Sequence, residues 1–169
     1  MPTMTELLHK VGNRLSNGTG CYVSSMDLNK AYWSLKVDEK DQHKLAFSYD
    51  NKHWKAKRML YGLATAPSAW SRVVSKIFNH SDILVYLDDL LIISADFESH
   101  INAIRFVLEQ CIKYGLTLSA KKVNLCSNHL VFLGHHIDKH GIKPTQKHEH
   151  GLTDYFNLKH DINENVSMV

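Results

Sequence analysis

Two adjacent carboxylates, Asp88 and Asp89, stand inside an otherwise apolar run, Leu84-Val85-Tyr86-Leu87-Asp88-Asp89-Leu90-Leu91-Ile92-Ile93. Ionised groups in such a run are costly unless they are paired or bound to a metal. The β-branched flanks favour two short buried strands over a helix, with the aspartates at the bend. A tight hairpin of this kind presents its acidic tip at a sheet edge, where hard oxygen ligands could hold divalent cations. A further ligand is then required. Asp27 is placed to supply it, because it closes a β-favouring run over residues 21–28 just before Asn29-Lys30-Ala31-Tyr32-Trp33. Taken alone, Asp27 reads as an ordinary strand-end turn or cap.

The elements that must position these groups follow from periodicity. Leu7, Leu8, Val11 and Leu15 recur at helical spacing over 5–15, and Asn17-Gly18-Thr19-Gly20 ends that helix. A hairpin is expected over 45–59, turning at Asp50-Asn51, and Pro67 suits the first turn of a helix over 67–78. Ile101, Ile104, Leu108, Cys111 and Ile112 predict the apolar side of a helix over 98–114, with Gly115 as its cap. Strands are expected over 122–126 and 131–137. The order fits an α+β fold, an antiparallel sheet with helices packed on one face. Asp27 and Asp88 meet if their strands are neighbours.

The chain has 169 residues, 44% hydrophobic and 22% charged, which suits one domain with a proper core and argues against disorder. No apolar stretch reaches the ~18 residues of a membrane span, so no membrane partner is expected and the protein reads as intracellular. The net charge of +3 permits an anionic partner without demanding one. Cys21, Cys111 and Cys126 are odd in number and widely spaced, so free thiols are expected. The histidines near Cys126, namely His129, His135, His136 and His140, match no standard zinc spacing.

Five ordered motifs span Pro2 to Pro144: Met26-Asp27-Leu28-Asn29-Lys30-Ala31-Tyr32; Tyr61-Gly62-Leu63 with Ala66-Pro67; Tyr86-Leu87-Asp88-Asp89; Gly115-Leu116-Thr117-Leu118-Ser119-Ala120-Lys121-Lys122; and Phe132-Leu133-Gly134-His135. Together they resemble the palm of a reverse transcriptase, an RNA-directed DNA polymerase, most similar to those of gypsy-type long-terminal-repeat retrotransposons and retroviruses. The implied fold is a polymerase palm with partial fingers over 1–144, followed by a carboxyl-terminal extension toward a thumb over 145–169.

The resemblance implies a division of labour. Joining a primer 3′-hydroxyl to an α-phosphate suits two metals roughly 3.5 to 4 Å apart, here Mg²⁺ with Mn²⁺ as a substitute. Asp27 and Asp88 are the first choices for bridging ligands, with Asp89 in support and the Leu28 carbonyl as a further ligand. Lys30 and Ala31 would hold the triphosphate through their amides, and Tyr32 would lie beneath the incoming sugar. Tyr61, Gly62 and Leu87 fall in the nucleotide site. Tyr86, Leu133, Gly134 and His135 fall at the primer. Lys121 or Lys122, with Lys122 preferred, would approach the leaving pyrophosphate. The implied partners are an RNA or DNA template with its primer, deoxynucleoside triphosphates and the remainder of a retroelement polyprotein. The implied setting is the cytoplasm, a virus-like particle or the nucleus.

The chain also departs from the pattern. It begins after the fingers segment whose basic side chains hold the triphosphate, and Trp70-Ser71 replaces the Phe-Gln pair common in the retrotransposon branch. These departures keep alive a rival reading, a retroelement-derived binding or interaction domain without catalysis. A nucleotide cyclase shares the metal logic but does not account for Gly62, Lys122 and Leu133-Gly134.

Overall fold

The computed structural model describes residues 3–16, 22–127, 129–138 and 141–145. Cys21, the break at residues 17–20, His140 and residues 146–169 of the extension lie outside the described residues. Helix α1 (Met4–Ser16) precedes strand β1 (Tyr22–Asn29), and a short 3₁₀ turn over Ala31–Ser34 follows directly. Strands β2 (Ala46–Tyr49) and β3 (Lys52–Lys55) form a separate hairpin, turning at Asp50 and Asn51, both with positive φ. Two consecutive positive-φ residues are what a two-residue type I′ turn demands, and Asp and Asn tolerate that conformation better than most.

Helix α2 (Ala66–Ile77) carries its proline in the first turn, where the missing amide costs nothing. Strands β4 (Ile83–Tyr86) and β5 (Asp89–Ser94) form the acidic hairpin. Helix α3 (Phe97–Tyr114) is bounded as expected: the Asp96 carboxylate accepts from the Ser99 amide at 2.8 Å, and Gly115 caps the end at φ 64°. Strands β6 (Thr117–Leu118) and β7 (Asn124–Ser127) both pair with β1, β6 at Leu28 and Asn29 and β7 at Val23 and Ser25, giving a sheet ordered β4-β5-β1-β6 with β7 also on β1. Strands β8 (His129–Phe132), β9 (His135–Asp138) and β10 (Gly141–Pro144) form a second, three-stranded sheet.

Alternation along the strands divides the core in two. Met26, Leu28, Ile83, Leu90 and Ile92 face α2 and α3. Val23, Leu84, Leu91 and Ile93 face the other way, against Leu7 and Val11 of α1 and Leu130, Phe132 and Ile137 of the small sheet. The antiparallel α+β palm is therefore as expected, with α2 and α3 sharing a face; α1 and the second sheet close the opposite one.

Two expectations are corrected. Residues 131–137 are not one strand but parts of β8 and β9, because Leu133 and Gly134 both have positive φ and fold the chain back on itself. Helix α3 buries His100, Ala103, Val107 and Cys111, while Leu108 is 45% and Ile112 83% exposed. Its smaller side chains let the helix sit close to the sheet. His100 is the exception, and it is fully buried because Ser24 of β1 and Ser94 of β5 meet its two ring nitrogens at 2.7 and 3.2 Å. Cys111 and Cys126 are free thiols, and burial pushes the Cys111 thiol up to about 11. No helix among the described residues is long and apolar enough to cross a membrane.

Candidate active site

The register of the sheet brings the carboxylates together. Asp27, near the end of β1, pairs directly with Asp89, the first residue of β5, and Asp89 also pairs with Tyr86 across the hairpin. Leu87 and Asp88 are thus the two turn residues. Like charges directly opposite one another destabilise a sheet unless something compensates them. The sequence pointed to Asp27 and Asp88 as the leading pair; the structure adds that Asp89 is the residue directly across from Asp27.

Asp88 is held from both sides. The Leu87 carbonyl before it accepts from the indole N–H of Trp70, fully buried on α2, at 3.0 Å. Its own carbonyl accepts from the Leu28 amide at 2.8 Å. Leu87 itself has φ 52°, a left-handed conformation that costs a branched residue about 1–2 kcal/mol. Strain of this kind persists only where the surroundings enforce it.

The electrostatics of the tip favour a cation beside it. Burial, and then the nearby charge of Asp27, raise the pKa of Asp88 above the usual carboxylate value, with Trp70 and Lys122 opposing. Asp89 is raised by burial and Asp27 in the same way, with Lys122 opposing. Asp88 Oδ1 is buried and has no hydrogen-bond partner. One cation is already present: Lys122 Nζ donates to Asp27 Oδ2 at 2.8 Å, and that bond raises the lysine pKa. An orphaned carboxylate oxygen beside two further carboxylates is a hard-oxygen donor set that fits a divalent ion. Among the described residues no three acidic, histidine or cysteine side chains converge as a complete cage. That suits magnesium, which is usually bound through one or two carboxylates and keeps waters and substrate phosphates in its shell.

The other motif residues surround this centre. An open cleft of about 320 Å³ is lined by Asp27, Asp89, Lys121, Lys122 and, from the β8–β9 turn, Leu133. Lys122, not Lys121, reaches Asp27, which resolves the choice between them as far as contact goes. Tyr32 lies in the 3₁₀ turn after β1, packed edge-on against Tyr61 with ring centroids 5.1 Å apart. Burial and the Asp88 charge raise its pKa. Lys30 has φ 53° and opens that turn, with its carbonyl accepting from Trp33, while Ala31 is buried beneath it. Gly62 has φ 86°, and a Cβ there would meet no atom within 4 Å, so the conformation alone demands glycine and the space beside it is open. Tyr86 packs toward the small sheet and Leu87 toward the helices. His135 Nδ1 lies 2.9 Å from the Leu133 carbonyl and braces the β8–β9 turn.

Residues 2–137 match the family model described as "Reverse transcriptase (RNA-dependent DNA polymerase)". The chain belongs to the reverse transcriptase family. Among curated relatives, it is 33% identical over 148 residues to the retrovirus-related Pol polyprotein from transposon 297 of Drosophila melanogaster, a match covering 85% of this chain and 13% of the relative. It is 36% identical over 141 residues to the enzymatic polyprotein of Figwort mosaic virus, covering 82% of this chain and 20% of that one. The chain thus spans a fifth or less of these two polyproteins. Among solved structures, the foamy viral protease-reverse transcriptase in complex with RNA/DNA hybrid aligns with a TM-score of 0.70 at 25% identity, covering 79% of this chain and 19% of that one. The reverse transcriptase palm is therefore the fold that carries the three aspartates.

Two supports for the site have no role assigned to them by the motifs. Trp70 shows in sequence only as an apolar helix residue, and its donor role requires knowing that α2 passes under the hairpin tip. The Ser119 amide, which donates to the Asp27 carbonyl at 2.8 Å, belongs to the segment that also carries Lys122.

Proposed function

We propose that this chain is the catalytic palm of an RNA-directed DNA polymerase, adding deoxynucleotides to a primer 3′-hydroxyl paired to an RNA or DNA template. The observation that carries this reading is the buried, unpartnered Asp88 Oδ1 in a turn fixed beside Asp27 and Asp89. The Asp27 and Asp88 carboxylates, with the Leu28 carbonyl and with Asp89 in support, would hold two Mg²⁺ ions, and Mn²⁺ would substitute. Bound there, the metals would supply activation of the hydroxyl and charge neutralisation on the transferring phosphoryl group.

The rest of the chemistry falls to the chain's own groups. Lys122 remains protonated at neutral pH and stands beside Asp27, within reach of a leaving pyrophosphate, to which it donates a proton. Tyr32, held edge-on by Tyr61, forms a flat floor beneath the sugar and excludes a ribose 2′-hydroxyl. The main chain at Lys30 and Ala31 holds the triphosphate, and the open side of Gly62 admits the nucleotide. The β8–β9 turn at Leu133 and Gly134, with Tyr86 and His135 behind it, sets the primer end on the Asp89 side of the cleft. The bound RNA/DNA hybrid of the foamy viral relative supports a primer–template partner.

Primer extension tests this reading. The chain is placed in the transposon 297 polyprotein in place of the residues it matches, and supplied with an RNA template, primer, deoxynucleotides and Mg²⁺. Extension is expected, and its loss in the Asp88→Asn version. A folded chimera that does not extend the primer with Asp88 intact contradicts the proposal.

A further inference from the structure

We propose that Trp70 is a positioning residue for the metal site, acting through a single hydrogen bond to the hairpin tip; the inference rests on the metal-site reading given above. The direction in which a side chain leaves the backbone is set by the peptide planes on either side of its Cα. For Asp88 both are pinned. The preceding plane ends in the Leu87 carbonyl, bound by Trp70 Nε1–H at 3.0 Å, and the following plane carries the carbonyl bound by the Leu28 amide at 2.8 Å. The second bond belongs to the sheet edge. The first comes from α2, through the indole N–H of Trp70.

In this chain the bond restrains the tip. Leu87 is held at φ 52°, a conformation leucine leaves readily when nothing enforces it. Trp70 is 0% exposed and lies in the same core cluster as Leu90 and Ile92 of β5, so its indole is a rigid post. A phenylalanine would occupy most of the same space and leave the Leu87 carbonyl without its donor. Partners that orient metal ligands typically govern affinity by 10- to 100-fold when removed.

The test is Mn²⁺ titration of the metal-bindable protein followed by electron paramagnetic resonance, comparing wild type, Trp70→Phe and Val74→Ala well below their melting temperatures. Val74 is fully buried on the same helix and in the same core cluster, so its truncation loosens the packing beneath the tip while leaving the Trp70–Leu87 hydrogen bond in place. Trp70→Phe is expected to weaken Mn²⁺ binding about tenfold, with Val74→Ala binding as wild type does. Equal binding by wild type and Trp70→Phe overturns the inference, as does equal weakening by Val74→Ala, which would reduce Trp70 to a packing residue. If the wild-type chain itself binds no Mn²⁺, the metal-site reading fails and the inference fails with it, a result distinct from the other two.

Discussion

The two aspartates of the hairpin tip are set against folding. Asp88 and Asp89 both have raised pKa values, so the folded chain holds their protons more tightly than the unfolded chain does, and stability falls as pH rises through that interval. Asp88→Asn removes one such burden. Its expected effect on the metal-free protein is no gain in stability below the ordinary carboxylate value of 3.8 and a gain in melting temperature near pH 7. Thermal melts of both proteins from pH 3 to 7.5 check this, and a loss of stability at pH 7 contradicts it. The same change is expected to cut nucleotide transfer by at least about a hundredfold. Lys122 behaves differently. Its side chain is 66% exposed, so the Asp27 pair contributes less than about 1 kcal/mol. Lys122→Met is expected to leave stability nearly unchanged while lowering transfer about 100-fold at neutral pH, whereas Lys121→Met changes neither. Steady-state kinetics at neutral pH, beside thermal melts, separate the two lysines.

At the scale of elements, the chemistry was more legible than the packing. The acidic hairpin, its β1 neighbour and the capped helix α3 were all readable, because an aspartate pair in an apolar run, a β-favouring stretch ending at Asp27 and a terminal Gly115 are local signals. The buried face of α3 was not. Of the expected stripe, Cys111 is buried and Ile104 packs against the core, but Leu108 and Ile112 stand exposed, and the sheet is met instead by Ala103 and Val107, which permit close approach, and by His100, which reaches two serines. Little near α3 marks that choice, since Ser24, which meets His100 Nε2, lies 76 residues away in sequence. The β8–β9 turn was missed for a similar reason: Leu133 does not advertise a positive φ. The histidine gives a test. Burial lowers the His100 pKa, against a weaker opposing effect of Asp82, so the unfolded chain takes up the proton first and stability falls as pH drops below about 6.5. His100→Gln is expected to lose that decline between pH 6.5 and 5, and to cost about 1–3 kcal/mol at neutral pH through serine hydroxyls left without their partner. Urea denaturation at several pH values measures both.

At the scale of the whole molecule, the site lies between two layers. Asp27 and Asp89 point toward the α1 and small-sheet side, where Leu133 completes the cleft, while the turn at Asp88 is anchored from the helical side by Trp70. Away from the site, Phe47, Tyr49 and Trp54 on the β2–β3 hairpin and Leu108 and Ile112 on α3 stand in solvent. Exposed apolar surface on this scale favours association. The isolated chain is expected to self-associate with rising concentration, and Leu108→Glu with Ile112→Lys to reduce that association while changing stability by less than about 0.5 kcal/mol per site. Sedimentation velocity of the two proteins reads this directly. The central claim, that the Asp27 and Asp88 carboxylates, with Asp89 in support, hold a divalent cation, is tested most directly by Mn²⁺ titration of the wild-type chain beside Asp27→Asn and Asp88→Asn. Saturable binding by the wild type, displaced by Mg²⁺, accompanied by proton release at mildly acidic pH and lost in both variants, is the predicted result. Wild-type binding no stronger than that of Asp88→Asn would contradict it.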